Sequence, residues 1–149
     1  MTMGRIADIC YSPEAPSSPP RRMVFFQGCP MRCRWCDRRE KAFEGQGSSW
    51  EELGAGAVIE RLARLGAPES DNEILIAGGE PLAQPEFLVA LLDACRAKGI
   101  NTAVETTLYA QFSVAAEVAR RVDRLLVVLR LMDSARHLRL TGHSNAPIL

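Results

Sequence analysis

The strongest constraint on this chain is the alternation of short apolar runs with longer stretches of helical periodicity. Met23 to Gln27, Glu73 to Ala77, Ile100 to Thr106 and Leu125 to Leu129 are short, aliphatic and partly β-branched, and read as strands. The segments between them have helical spacing. Pro85 opens one and Gly99 closes it, with Phe87, Leu88, Leu91, Leu92 and Cys95 on one face. Gln111 to Arg121 gives another, with Val114, Ala115 and Val118 inward. Ser49-Trp50-Glu51-Glu52 has capping-box spacing and predicts a helix running to Leu65 and stopped by Gly66. Leu53, Val58, Leu62 and Leu65 form its apolar stripe. Asp133 can cap a last short helix that Gly142 ends. Strands alternating with helices imply a parallel sheet with right-handed crossovers. Sites in such sheets lie at the carboxyl ends of the strands.

Gly4 to Tyr11 predicts a lead-in strand. Ser12 to Pro20, with four prolines and three serines in nine residues, breaks regular structure. A polar stretch with Gly45 and Gly47 reads as loop. The 149 residues, 47% hydrophobic and 24% charged, predict a single domain spanning 1–149. A formal net charge of zero gives no global pull toward nucleic acid or membrane. No apolar run approaches the roughly 20 residues of a membrane span. Five cysteines, an odd number without a signal peptide, read as reduced and cytoplasmic rather than as a disulfide framework.

Chemistry concentrates after the first of the four strands. Gln27-Gly28-Cys29-Pro30-Met31-Arg32-Cys33-Arg34-Trp35-Cys36 places three cysteines on one loop at C-x3-C-x2-C spacing. Three thiolates can hold three irons of a [4Fe–4S] cluster and leave the fourth open. They can also hold zinc, with Asp37 or a distant histidine as fourth ligand. Structural zinc sites usually add a second ligand pair further on, so the spacing favours the cluster without deciding the matter. Gly78-Gly79-Glu80-Pro81 follows the second strand and Glu105-Thr106-Thr107 closes the third. All three motifs therefore fall at strand carboxyl ends. Seven of the 21 residues from Arg21 to Lys41 are Arg or Lys, forming a basic band around the cysteines.

These residues carry a resemblance. "FFQGCPMRCRWC", "AGGEPLAQPEFLVALLDACRAKGINTAVETT" and "HLRLTGHSNAPIL" together resemble the radical S-adenosylmethionine (SAM) enzymes. The branch is the activating enzymes of glycyl-radical enzymes, such as the pyruvate formate-lyase activases. The match runs from about residue 22 to the end. It implies an open, truncated partial (β/α) barrel with about four parallel strands and helices outside. It implies a [4Fe–4S] cluster on Cys29, Cys33 and Cys36, with SAM chelating the open iron and being cleaved by one electron. The product would be a glycyl radical on a partner enzyme. Trp35 would border the adenine. Gly78, Gly79 and Glu80 would receive the methionyl ammonium, and Glu105 and Thr106 would help hold SAM. Arg130 would stand in for a lysine near the SAM carboxylate. His137 and Asn145, with Thr141 and Gly142, match a segment facing the peptide substrate. The basic band would dock a flavodoxin-like or ferredoxin-like electron donor.

The chain also departs from that pattern. The family's "HDGPGIRT"-like segment is replaced by the proline-rich stretch before Arg22. The family's Asp-x-Lys at the end of the fourth strand reads Val128-Leu129-Arg130. Two other readings stay open: an anaerobic ribonucleotide reductase activase-like protein, and a non-catalytic remnant that binds a cluster and a partner.

Overall fold

A computed structural model describes residues 1–12, 20–39, 48–66 and 72–149. Most of the proline-rich breaker and the stretch around Gly45 and Gly47 lie outside the described residues. Among the described residues the sheet has six strands: β1 (Met3–Ser12), β2 (Arg21–Phe26), β3 (Glu51–Gly54), β4 (Glu73–Gly78), β5 (Asn101–Thr106) and β6 (Arg124–Val127). Its order is β3-β1-β2-β4-β5-β6. β2, β4, β5 and β6 run parallel, while β1 pairs antiparallel with both β2 and β3. The four expected parallel strands are present. The sheet as a whole is mixed and open, with β3 and β6 at its edges.

The α-helices lying wholly within the described residues are α1 (Ala55–Ala63), α2 (Pro85–Ala97), α3 (Phe112–Ala119) and α4 (Ser134–Thr141). Alternation in the strands sorts the core into two faces. Val24, Phe26, Ile74, Ile76 and Val104 meet Phe87, Leu88, Leu91, Leu92 and Cys95 of α2 and Val58, Ile59 and Leu62 of α1. The rings of Phe26 and Phe87 lie 5.4 Å apart. Phe25, Leu75, Ala77 and Ala103 form a smaller cluster on the opposite face. Burial on both faces explains the near-continuous apolar run Ile74-Leu75-Ile76-Ala77, usual for an inner parallel strand.

One expectation fails. Ser49 to Glu52 does not open a helix: Glu51–Gly54 is β3, and α1 begins only at Ala55. β1 extends beyond its pairing with β2, and its first residues, Met3 to Ile6, take Gly54 to Glu51 as antiparallel partners. An open strand edge thus outcompetes the local cap. Gly54 becomes the extended N-cap residue (φ −78°, ψ 158°). The other helix signals agree with the structure. Asp133 accepts a hydrogen bond from the Arg136 amide, and Gly142 ends α4 in the left-handed region (φ 82°). β6 stops at Val127, short of the expected Leu129, although the Val128 amide still donates to Thr106 O at 2.9 Å.

Candidate functional site

The carboxyl ends of β2, β4, β5 and β6 open onto a cleft of about 200 Å³. Cys29, Cys33 and Cys36 line it together with Trp35, Gly78, Gly79, Glu80, Glu105, Thr106, Val128 and Arg130. The cysteine, GGEP and β5-end motifs, distant in sequence, therefore meet in one place.

Close backbone approach builds this floor. Gly79 N donates to Phe26 O at 3.0 Å and Glu80 N to Gly28 O at 2.8 Å. A Cβ on Gly79 would sit 2.1 Å from Gly28 O. Gly78 has φ 120°, and a Cβ there would meet Phe26 backbone atoms at 2.4 Å. Glycine at both positions is thus required by sterics.

Glu80 is 1% exposed. Its Oε1 accepts from Leu82 N at 3.1 Å and from the Thr106 hydroxyl. Its Oε2 accepts from Thr107 N at 2.9 Å and Thr107 Oγ1 at 2.7 Å. Both oxygens are occupied in joining the end of β4 to the end of β5. The carboxylate thereby shapes the cleft wall, whereas the resemblance implies that Glu80, with backbone carbonyls, meets a ligand's ammonium. Just beyond, Leu108 takes φ 61°, a region that costs a non-glycine residue roughly 1–3 kcal/mol.

The thiols are shielded. Burial pushes the Cys29 thiol up to about 11, against an opposing Met31 backbone hydrogen bond; Glu80, Cys33 and Cys36 add to the rise. Burial also raises Cys33, with the Arg130 guanidinium opposing. At Cys29 and Cys33 a thiolate would therefore be favoured only with compensating positive charge, which a bound metal supplies. Among the described residues, no group of three His, Cys, Asp or Glu is placed to hold a single metal ion. In a cubane site each cysteine bonds a different iron, so the sulfurs surround a body rather than converge on one ion. The three soft donors on one cleft fit that group.

Trp35 is 44% exposed beside the cleft, so it is not packed under the loop. Glu105 pairs with Arg38 at 2.8 Å, and the Arg38 guanidinium lies 5.5 Å from the Phe25 ring centroid. In the sequence, Arg38 stands out only as part of a basic band. Arg130 lines the cleft, and its buried Nε has no partner among the described residues.

His137, Thr141 and Asn145 do not line this cleft but are buried near it. His137 Nδ1 lies 2.6 Å from His143 O, which assigns the proton to Nδ1. Thr141 Oγ1 donates to His137 O at 2.7 Å. Asn145 Nδ2 donates to Met132 O at 2.8 Å. The segment also clamps the cysteine loop, since Arg32 N donates to Thr141 O at 2.7 Å and Arg34 N to Leu140 O at 3.0 Å.

A cysteine-lined cleft at the carboxyl ends of parallel strands agrees with the comparisons. The family model of the radical SAM superfamily matches residues 23–147, and the chain belongs to that superfamily. Curated relatives narrow the kinship. The chain is 32% identical to the pyruvate formate-lyase-activating enzyme of Clostridium pasteurianum, over 95% of this chain and 59% of that protein. It is 30% identical to the choline trimethylamine-lyase activating enzyme of Oleidesulfovibrio alaskensis, over 87% and 60%. The domain is thus related to activating enzymes of glycyl-radical enzymes at moderate identity, and spans about 60% of the length of these relatives. The crystal structure of QueE from Escherichia coli shares the fold, with a TM-score of 0.62 and 19% identity over 73% of this chain and 55% of that one. Among the described residues no helix is long and apolar enough to cross a membrane.

Proposed function

We propose that this chain is the cluster- and SAM-binding part of a radical SAM activating enzyme that generates a glycyl radical on a larger partner enzyme. The observation that carries this reading is the meeting of Cys29, Cys33 and Cys36 with Gly78-Gly79-Glu80 and Glu105-Thr106 in one cleft. When bound, a [4Fe–4S] cluster supplies the electron that cleaves SAM. The chain's own residues bind and orient. Trp35 offers a flat face for the adenine. The glycine turn brings backbone close enough to receive the methionyl ammonium. Arg130 offers a guanidinium to the carboxylate. Glycine suits as the partner's target because its α-carbon radical is stabilised by the flanking amides.

Exposed Arg32, Arg34 and Arg39 flank the cysteine loop, and exposed Arg136 and Arg139 belong to the helix docked against it. This face suits an acidic, flavodoxin-like or ferredoxin-like donor, since complementary charge mainly speeds encounter. A non-catalytic role is the second reading, favoured by Val128 lining the cleft where the resemblance calls for a carboxylate. Anaerobic cluster reconstitution, followed by assay of 5′-deoxyadenosine from SAM and dithionite, separates the two. Iron loading with nucleoside formation supports the enzyme; iron loading without it supports the remnant.

A further inference from the structure

His143 sits where three segments meet. Its Nε2 lies 2.7 Å from Pro30 O, between Cys29 and Met31. Its Nδ1 lies 2.9 Å from the Tyr109 hydroxyl, and the two rings are 4.7 Å apart. A carbonyl can only accept, so Nε2 carries a proton and donates to Pro30. In the neutral ring Nδ1 then accepts from the Tyr109 O–H.

These two bonds close a circuit around the cleft. From Tyr109 the backbone amide donates to Thr107 Oγ1 at 3.3 Å, and Thr107 N donates to Glu80 Oε2 at 2.9 Å. Glu80 N donates to Gly28 O at 2.8 Å, returning to the residue before Cys29. The first stretch of the cysteine loop is therefore held from the β4 end at Gly28 and from the C-terminal segment at Pro30. Proline has no amide of its own, so its carbonyl is that residue's one backbone handle.

We propose that His143 is a positioning residue that, with Tyr109, fixes the backbone between Cys29 and Cys33 and so sets where their sulfurs stand. Its effect on iron rests on the reading of these cysteines as cluster ligands; the clamp itself does not. The test begins with iron-free protein, using hydrogen exchange at the Arg32 and Arg34 amides, whose acceptors Thr141 O and Leu140 O are on the same segment as His143. His143→Leu removes two hydrogen bonds and orphans the Pro30 carbonyl. It is expected to speed exchange there about ten- to a hundredfold, with β4 amides unchanged. His143→Gln keeps a donor near the Nε2 position and is expected to stay within about fivefold of the parent; Tyr109→Phe, losing one bond, should fall between.

After reconstitution, iron release to a chelator should follow the same order, and the cluster's EPR line shape should change in His143→Leu. Parent-like exchange in His143→Leu overturns the clamp. Should that variant not fold, parent-like exchange in Tyr109→Phe overturns it instead. Faster exchange with unchanged iron release and EPR overturns the link to the sulfurs. A parent protein that loads no iron sinks the cluster reading, while exchange still judges the clamp.

Discussion

Replacing Glu80 with glutamine tests whether this residue builds the cleft or only contacts a ligand. The carboxylate accepts four hydrogen bonds, from Leu82 N, Thr106 Oγ1, Thr107 N and Thr107 Oγ1. A glutamine oxygen can keep two of them. Its NH2 group must then face a backbone N–H and a hydroxyl. A threonine hydroxyl can accept from the new NH2 beside the bond it already accepts from Leu108 N or Tyr109 N, but its own O–H then loses its acceptor. In either amide orientation one buried N–H, of Leu82 or Thr107, meets another donor. A hydrogen bond to a charged group is worth about 1.5–3 kcal/mol, and an orphaned buried donor costs about 1–3 kcal/mol. With partial relaxation, a destabilisation of about 3–5 kcal/mol is expected, against a total of about 5–15 kcal/mol for a typical domain. The assay is urea unfolding of iron-free protein, where m-values of about 1–3 kcal/mol per molar convert this loss to a midpoint shift of about 1–5 M. A purely ligand-binding Glu80 would leave iron-free protein untouched. A midpoint within about 0.3 M of the parent, with unchanged exchange at the Thr107 amide, would refute the reasoning.

Four other outcomes are expected. Gly79→Ala should prevent iron loading, measured by absorbance after reconstitution, because its Cβ would collide with Gly28 O. The chain should self-associate through the β6 edge, where Val127 and, just beyond the strand, Leu129 are 48% and 40% exposed; Val127→Lys should lower the sedimentation-derived association constant. Burial pushes the Cys95 thiol up to about 11 from 9.0, so the folded state holds this proton more tightly; the stability it contributes is full below pH 9 and is lost as pH rises toward 11. The ceiling on that loss is about 2–3 kcal/mol, and urea melts of Cys95→Ala against the parent should show their difference shrinking over this window. Val128→Asp should tighten SAM binding about tenfold or more, read by titrating SAM against the cluster's EPR signal; weaker binding would mean that the end of β6 is misaligned with the family pattern.

The parallel strands were legible because each is a short apolar run bounded by turn residues, and their order dictated where the motifs would meet. The α1 boundary was not legible. Ser49 to Glu52 satisfies a local cap rule, and nothing local reveals that β1 leaves an edge for Glu51–Gly54 to join. The cysteines and the glycine turn declared themselves by spacing. The second set of site residues did not. His143 and Tyr109 are 34 residues apart, and their pairing follows only from the docking of the C-terminal segment. Glu80 was found by motif, but its engagement with both threonines needed the third dimension. His137 could have been a surface histidine on a polar helix, yet it is fully buried.

Val128 changes the meaning of the charges around it. Glu80 is occupied in joining β4 to β5, which leaves Glu105 and the exposed Asp37 in the cleft lining to meet a ligand's amine. Glu105, however, is held by Arg38. That pair is about 30% exposed on each side, at 31% and 28%. Such a pair is worth about 0–1 kcal/mol, because water screens it and both side chains lose freedom in making it. A ligand ammonium that also hydrogen-bonds the turn carbonyls gains more than that, so it can draw Glu105 away from Arg38. The freed guanidinium would then lie in the same cleft as Arg130, suited to the carboxylate of the same ligand. An aspartate at position 128 would add a further acid and relieve Glu105 of serving both cations. On the proposed function, valine need not abolish recognition of a zwitterionic ligand; it would make binding depend on exchanging an internal ion pair for an external one. This gives Arg38 a place in the site although neither its motif nor its position in the basic band marks it.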